Sequence, residues 1–593
     1  MDAPESTAPE HKKRRLTYRQ SLWLLGLGIV VLAFVIRALG VGWGLANDVR
    51  NHSLHPDEMV VLSYAQSIDP ARLDFDPGFY NYGTLYLTLL KVTTTMVDTY
   101  APAAEGEVET WERVSLYHEA GRWLSVAAGA ATAGIVFAIL AGFVGRVGAG
   151  LGALAVAFAP GHVIHSRFQT VDVVAACLLA ASLYFALRVF FRDREPLDAR
   201  FVTVSMVWAG VFAGLSAGTK YTGILVLLVP VVAFLVAKVP GRWPALGLGV
   251  LAAVITFLLA TPGAVLNSGQ FLQDFLYEME HTSTGHGLVF AGTSSGFLYH
   301  LGSLAIGMGF LVAVLGGAGL IGGAIKRHAW LIGLLAFALV YYVLIGRAEV
   351  KFFRYTLPLI PVLALGFGWL MGQGHQLANK KGRLLVVVGF LGLVGLLGGG
   401  LIGTIYATQW MLIRDPRDAA GDYLAEVLEP GQNVGIVREP WFWSPTLYED
   451  IQQHPQLYPG GTTAEKNAMR LLVLTRKGVP VVYASADEPN ELEMLNPDLI
   501  TELAPEYIAF TSFEYADPAR LMNLPRVPEA YRPYAERAEE FTEALEANYE
   551  LVRVFGRDEA GQIGSVYVES PLKTRHDLEY VRPTVWVWKR NDL

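Results

Sequence analysis

Two adjacent carboxylates, Asp57 and Glu58, follow the first apolar segment of the chain almost at once. That segment covers residues 21–40 and is preceded by a run of basic residues at 12–15. Because a basic flank stays in the cytoplasm, we expect the chain to cross the membrane outward and to place both carboxylates at its far face. Paired acids at a membrane surface indicate proton transfer or cation handling rather than a purely structural role.

The composition is typical of a polytopic membrane protein. Of the 593 residues, 53% are hydrophobic and 17% are charged. Apolar runs of about 20 residues, long enough to cross a bilayer, recur as far as residue 405 and predict about eleven transmembrane helices. We therefore predict a cytoplasmic basic tail at residues 1–20 and a polytopic α-helical membrane domain at residues 21–411.

The character of the chain changes after residue 411. Charges and prolines return, and short runs with strand patterns alternate with helical patterns, which predicts a soluble α/β domain at residues 412–593. The aromatic run at residues 441–443 is interpreted either as a sugar-stacking platform or as a loop packed on the helix bundle. The net charge of −8 argues against a nucleic-acid partner, and the single cysteine, Cys177, excludes a disulfide within the chain.

The basic residues orient the helices. They recur in alternate loops, as the cytoplasmic loops of membrane proteins do, which places the N-terminus in the cytoplasm of an integral plasma- or inner-membrane protein and residues 412–593 outside. The apolar stretch at residues 82–97 would invert this pattern if it crossed, so we expect it to lie along the outer surface. The first outer loop then covers residues 41–120. The loop residues that set the pattern include Arg146, Arg200, Lys238, Arg242, Lys326 and Arg327.

With this orientation, ionisable and aromatic side chains from several helix ends gather at the outer face. Each alone has an ordinary structural explanation, such as a lysine that extends to the lipid surface or a histidine that caps a helix. Together they predict a site: a carboxylate between apolar walls can accept a proton from a hydroxyl, and lysine and arginine suit a phosphate. The reaction indicated is transfer of a group from a lipid-linked phosphate to an acceptor. Besides the two acids, the set includes His55, Tyr82, His165, Arg167, Asp172, Lys220, Tyr221, Lys351 and Arg354.

Four sequence elements in this order resemble the GT-C membrane glycosyltransferases, which use polyprenyl-phosphate sugars and include the protein O-mannosyltransferase and aminoarabinose transferase families. The resemblance covers residues 21–371 and implies a GT-C-like fold that binds a polyprenyl-phosphate sugar donor in the lipid bilayer. It also implies a hydroxyl acceptor on a protein, lipid or glycan. The elements are the Asp57-Glu58 pair, HSRFQTVD at 165–172, AGTKYTG at 217–223 and KFFRYTLP at 351–358.

The resemblance also implies roles for individual residues. Asp57 is expected to be the general base, with Glu58 orienting it or binding the acceptor. Direct displacement at the sugar carbon would invert its configuration. Residues 79–84 lack the Lys-Pro-Pro element of the aminoarabinose transferases, which argues against a lipid A-specific enzyme. The predicted phosphate ligands are Lys351, Arg354, Lys220 and Arg167, and the other predicted substrate-binding residues are His55, His165, Asp172, Tyr82 and Tyr221.

Alternatives to this interpretation remain. No metal or other cofactor is expected, although Asp74 and Asp76 could hold a divalent cation instead of forming a solvated turn. A transporter that uses the outer charged cluster is the main competing function, but transporters place such groups near the bilayer midplane. A scaffold whose outer domain binds a partner is the third hypothesis. We expect the outer domain to help bind acceptor or to cover the site.

Overall fold

The computed structural model describes residues 17–47, 50, 52–102, 111–191, 198–239, 241–381, 383–429, 432–438, 441–447, 481–482, 495–556 and 575–592. Most of the predicted basic tail lies outside these residues. Helices dominate as far as residue 410, because long apolar runs in a bilayer must satisfy their backbone hydrogen bonds internally.

The α-helices of this region are α1 (Tyr18–Ala38), α2 (Pro56–Gln66), α3 (Leu85–Tyr100), α4 (Trp111–Phe143), α5 (Arg146–Ala157), α6 (Pro160–His165), α7 (Val171–Leu187), α8 (Ala199–Ala217), α9 (Leu228–Ala237), α10 (Arg242–Ala260), α11 (Gly263–Leu266), α12 (Ser268–Thr284), α13 (Gly296–Met308), α14 (Phe310–Ile325), α15 (Ala329–Gly346), α16 (Leu359–Lys381), α17 (Arg383–Gly395) and α18 (Gly403–Trp410). Shorter 3₁₀ or π-helical turns are Pro70–Arg72, Arg188–Phe190, Tyr221–Leu227, Phe353–Thr356 and Leu396–Ile402.

The apolar helices make this an integral membrane protein. Within the described residues, seven helices are long and apolar enough to cross a membrane, or eight if the bent pair α13–α14 is one span. Three shorter apolar helices are Arg146–Ala157, Tyr221–Ala237 and Leu359–Gln373. They coincide with the three of the eleven predicted transmembrane helices that the longer helices and the bent pair do not account for. The predicted polytopic helical class is therefore confirmed. The stretch expected to lie along the surface forms α3 and is not among these apolar helices.

One predicted span is broken. The sequence pattern predicts a single helix over residues 297–324, but α13 and α14 meet at an angle of 110°. Gly309 at the break has φ +84°, a left-handed conformation that glycine adopts without steric cost. A Cβ atom there would come within 2.8 Å of the carbonyl carbon of Gly399. The bend is thus set by a backbone-to-backbone contact with Leu396–Ile402.

The chain after residue 412 forms a five-stranded mixed sheet with helices on both faces. The strand order is β2-β1-β3-β5-β4, with β2, β1 and β3 parallel and β5 antiparallel to β3 and β4. Ile508 and Phe510 pack in one buried cluster and Ala509 in another, because alternate strand residues point to opposite faces. This confirms the predicted α/β character. The elements are α19 (Pro416–Val427), β1 (Val434–Gly435), β2 (Val481–Val482), β3 (Tyr507–Thr511), α20 (Ser512–Met522), α21 (Arg532–Asn548), β4 (Tyr549–Phe555), α22 (His576–Glu579) and β5 (Val585–Arg590).

Candidate active site

Asp57 and Arg354 form an ion pair between two short elements. Asp57 lies in the first turn of α2, directly after Pro56, where the helix dipole favours a carboxylate. Arg354 belongs to the 3₁₀ turn Phe353–Thr356, and its Nη1 lies 3.1 Å from Oδ2 of Asp57. The guanidinium also stacks 4.0 Å from the ring centroid of Phe352. The Asp57 side chain remains 28% exposed, so a second molecule can reach it.

Glu58 is held elsewhere, although it is the next residue. It is fully buried and accepts two hydrogen bonds from Arg122, at 2.8 and 2.7 Å, and one of 2.7 Å from the backbone N–H of Gln169. Ser53 donates a further short bond. Burial alone raises the pKa of Glu58, but the Arg122 guanidinium outweighs it and lowers that pKa to about 2. Glu58 therefore ties α2 to α4 and stays ionised.

A second cation–carboxylate pair lies beside the first. Nζ of Lys220 is 2.5 Å from Oδ1 of Asp172, and the ammonium lies 4.8 Å from the ring centroid of Tyr355. Asp172, Lys220 and Arg354 together line a cavity of about 10 Å³, which is roughly the size of one water molecule. The structure therefore brings Asp57, Arg354, Lys220 and Asp172 into one charged cluster.

The loop before α3 is fitted closely to the turn that carries Lys220. The backbone N–H of Leu85 donates to the Gly218 carbonyl at 2.9 Å, and a Cβ atom on Gly83 would meet that carbonyl at 2.2 Å. The Tyr221 hydroxyl donates to the carbonyls of Tyr80 and Tyr82, at 2.6 and 3.0 Å. Tyr221 thus positions the loop, and Gly83 permits the close approach.

A larger cavity of about 570 Å³ opens next to the charged cluster. Its polar lining includes Lys220 and Tyr82 together with Glu278 on α12, which lies 3.4 Å from the amide of Asn81. Burial raises the pKa of Glu278, and the charge of Lys220 offsets part of that increase. The lining also includes apolar side chains, namely Ile224, Leu225, Leu344 and Ile345.

Glu278 was missed in the sequence because no helix was assigned to residues 268–284. The available signal was the spacing of Phe271, Phe275, Glu278 and Thr282, which puts these residues on one face of a helix. Three of the four, all but Phe271, line the cavity.

The two predicted histidines lie behind the ion pair. His55 is fully buried, with its ring centroid 4.4 Å from that of Phe168 and 4.8 Å from that of Tyr580. Burial lowers the pKa of His55 to about 4, which keeps the ring neutral. His165 stacks on Phe353 at 5.3 Å. Both imidazoles therefore form the wall behind the pair.

Two predicted phosphate ligands make other contacts. Arg167 is fully buried and donates to the Ile36 carbonyl at 2.7 Å and to Oγ1 of Thr408 at 2.8 Å, linking α1 to α18. Lys351 donates to Oγ1 of Thr293 at 3.2 Å and lies 3.6 Å from Glu349. Within the described part of the chain, neither residue lines either cavity.

The acidic pair in the first outer loop, Asp74 and Asp76, accepts hydrogen bonds from neighbouring residues of the protein. Asp76 accepts hydrogen bonds from the Tyr80 hydroxyl at 2.6 Å and from Asn267 at 2.8 Å, and Asp74 accepts one from the Asp76 backbone at 3.0 Å. No group of three or more His, Cys, Asp or Glu side chains that could hold a metal ion occurs among the described residues.

Part of the chain matches the sequence model of one protein family. Residues 117–265 match the family model of dolichyl-phosphate-mannose-protein mannosyltransferases. This range contains Asp172 and Lys220 but neither Asp57 nor Arg354. No curated protein sequence matches the chain.

Several solved structures are similar to the chain at low sequence identity. ArnT from Cupriavidus metallidurans bound to undecaprenyl phosphate is 17% identical with a TM-score of 0.49, and the alignment covers 96% of this chain and 98% of that one. The oligosaccharyltransferase AglB from Archaeoglobus fulgidus, in complex with an inhibitory peptide and a dolichol-phosphate, is 13% identical with a TM-score of 0.48, covering 95% and 78%. The Pmt1–Pmt2 protein O-mannosyltransferase of S. cerevisiae is 18% identical with a TM-score of 0.31, covering 47% and 36%.

The family match agrees with the resemblance carried by the four sequence elements: residues 117–265 are similar to the dolichyl-phosphate-mannose-protein mannosyltransferases.

Proposed function

We propose that this protein transfers a sugar from a polyprenyl-phosphate donor to an acceptor hydroxyl at the extracytoplasmic membrane face, with Asp57 as general base. The observation that carries the proposal is the position of the Asp57–Arg354 pair. It lies beside Lys220 and Asp172, and Lys220 also lines a larger cavity whose lining is largely apolar. An amphiphilic ligand with an anionic group between a lipid tail and a sugar matches that sequence of surfaces.

The cations suit the donor phosphate. Arg354 and Lys220 are each paired with a single carboxylate. The donor phosphodiester has two non-bridging oxygens, which can accept hydrogen bonds from both cations at once, in the forked geometry that guanidinium favours. When it does, Arg354 shares its charge with the phosphate, and Asp57 becomes available to an incoming hydroxyl.

The apolar wall suits the lipid tail. Ile224 and Leu344 are 38% and 48% exposed, and both line the cavity. These side chains offer an apolar surface on which a prenyl chain can pack. Glu278 and Asn81, on the polar side, are placed to accept and donate hydrogen bonds to sugar hydroxyls.

The chemical step follows from these positions. Asp57 accepts the proton of the acceptor hydroxyl while the oxygen of that hydroxyl attacks the anomeric carbon of the sugar. The bond from that carbon to the phosphate oxygen breaks, and polyprenyl phosphate leaves with the bonding electrons. Arg354 and Lys220 stabilise the charge that develops on the departing phosphate, so no acid is needed to protonate it. Attack opposite the leaving group inverts the sugar carbon.

The remaining predicted residues support this arrangement. His55 and His165 shape the wall behind Arg354, Tyr221 and Tyr82 position the loop over the cavity, and Glu58 fixes the first turn of α2. Arg167 and Lys351 hold neighbouring elements together. The N-terminus is proposed to be cytoplasmic, and the domain after residue 411 extracytoplasmic, because the basic loops lie at the helix ends opposite Lys220 and Arg354.

The test of the class is sugar transfer by purified full-length protein in lipid nanodiscs. A panel of radiolabelled dolichyl- and undecaprenyl-phosphate sugars is supplied as donor, with a membrane extract as acceptor. Transfer to an extract component with stoichiometric release of polyprenyl phosphate supports the proposal. Failure to bind any polyprenyl phosphate contradicts it.

A further inference from the structure

A short segment of the outer domain packs against the membrane domain beside the Asp57–Arg354 ion pair. Helix α22 packs against the 3₁₀ turn that carries Arg354, and its Asp577 side chain is fully buried. Oδ1 of Asp577 accepts the backbone N–H of Phe353 at 2.8 Å, and Oδ2 accepts the backbone N–H of Arg354 at 2.8 Å. The Phe353 contact joins residues 224 positions apart in the sequence.

Asp577 provides a hydrogen-bond acceptor that the 3₁₀ turn Phe353–Thr356 lacks in its own segment of the chain. The first N–H groups of any helical turn have no partner within the turn, and an oxygen-bearing side chain just before it usually accepts from them. Here the preceding residue is Phe352, which offers no such acceptor. Asp577, which belongs to the domain after residue 411, is the acceptor instead. Its one carboxylate accepts from two N–H groups, a charge-assisted bidentate arrangement.

The segment around Asp577 is anchored on both sides. Nε of Arg575 donates to Oγ of Ser303 at 2.9 Å, which fixes the segment to α13. The carbonyl of Tyr580 accepts from Nη2 of Arg417 at 2.7 Å. The Tyr580 ring touches His55, two residues before Asp57. The segment therefore contacts the elements that carry both members of the Asp57–Arg354 pair.

We infer that Asp577 is a positioning residue that sets the Arg354 guanidinium for the donor phosphate, so that the outer domain completes the anion-binding site. The inference rests on the proposed function. Asp577 does not itself touch substrate. An asparagine at this position presents one oxygen and one NH₂ group to two N–H donors, so one bond is lost and the Arg354 backbone shifts.

The test uses undecaprenyl phosphate without a sugar, titrated onto full-length protein in nanodiscs. We expect Asp577→Asn to weaken its binding roughly two- to tenfold, the size of one lost hydrogen bond, and by no more than Arg354→Ala does, because the effect acts through that side chain. The matched control is Glu579→Gln, a buried carboxylate of the same helix that bonds Ser512 within its own domain. We expect this control to bind as wild type does.

A double-mutant cycle separates positioning from general structural damage. In an Arg354→Ala background, Asp577→Asn should cause no further loss of affinity, because its effect acts through the missing side chain. A loss that adds to that of Arg354→Ala overturns the inference. Equal binding by wild type and Asp577→Asn also overturns it, and leaves the proposed function standing.

Amide hydrogen exchange tests the contact without any ligand. Asp577→Asn should accelerate exchange in the peptide that contains residues 352–356, whereas Glu579→Gln should not. Unchanged exchange in that peptide overturns the docking of Asp577. If wild type binds no undecaprenyl phosphate while exchange responds as expected, the proposed function fails and the structural contact stands.

Discussion

Asp57 and Glu58 are neighbours in the sequence but pair with different arginines. Asp57 meets Arg354 at 3.1 Å with part of its side chain exposed, whereas Glu58 meets Arg122 at 2.7 Å in a site closed to solvent. Because successive residues of a helix point about 100° apart, the first turn of α2 presents one carboxylate to the site and inserts the other into the bundle. One residue can then act in chemistry while the other fixes its helix.

The buried pair predicts a stability effect for Glu58→Gln. Removing this charge leaves the Arg122 guanidinium uncompensated inside the protein, which typically costs about 3–5 kcal/mol. We expect a larger loss of melting temperature in detergent for Glu58→Gln than for Asp57→Asn, because Asp57 is 28% exposed and its site is open to water. Equal melting temperatures for the two variants would contradict the division of roles.

The same pair predicts a pH dependence. The pKa of Glu58 is lowered from its ordinary 4.5 to about 2 in the folded protein. The stability from this shift is present above pH 4.5 and is lost as pH falls toward 2, because the unfolded chain then binds a proton that the folded one does not. Melting temperatures measured from pH 6 down to 2.5 should therefore decline less steeply for Glu58→Gln than for wild type.

Lys351 and Arg354 lie in one short segment, but their substitution is expected to affect phosphate binding differently. Arg354→Ala should weaken binding of undecaprenyl phosphate by roughly tenfold or more, as expected for loss of a charged hydrogen-bonding partner of about 1.5–3 kcal/mol. Lys351→Ala should leave that affinity nearly unchanged, because Lys351 is bonded to Thr293 and Glu349. Equal losses in both variants would place the phosphate between them and contradict the assignment.

The apolar wall predicts a dependence on lipid length. Leu344→Trp would fill part of the 570 Å³ cavity and should weaken binding of undecaprenyl phosphate more than that of a short prenyl phosphate. Leu339→Trp on the same helix α15 is the control, since Leu339 is 57% exposed and does not line the cavity. An identical effect of Leu344→Trp on both lipids would argue against a tail in this cavity.

The orientation predicts labelling from outside. In a Cys177→Ala background, Asp74→Cys should react with a membrane-impermeant thiol reagent in intact cells, whereas Lys326→Cys should react only after permeabilisation. The reverse pattern would invert the proposed topology and move Asp57 to the cytoplasmic face.

Local patterns predicted most of the architecture. Apolar runs located the helices, and short runs with strand patterns located strands such as the one at residues 507–510, which the structure extends to Thr511. The break at Gly309 escaped prediction because its cause is a backbone contact with Gly399, far along the chain. Nothing in an apolar run distinguishes a straight helix from one bent by a distant neighbour.

The site was predictable only in part, for a related reason. Residue type and topology indicated Asp57, Arg354 and Lys220, and the structure brings these together. The same reasoning grouped Arg167 with them, although buried carbonyls can use a guanidinium as well as a phosphate can. Asp577 carried no signal, since it accepts from two backbone N–H groups that sequence does not distinguish from any others, and only the fold brings it within 3.6 Å of His165.

The role of Asp57 as general base can be tested by comparing sugar transfer from a labelled polyprenyl-phosphate sugar by wild type and Asp57→Asn, with Asp74→Asn as the control in the same loop. We expect transfer by wild type and by the control, and a loss of about 10²–10⁴-fold in Asp57→Asn, the range that a general base contributes. Binding of the donor should be retained. Transfer by a folded Asp57→Asn protein at the wild-type rate would contradict the assignment of Asp57 as the base.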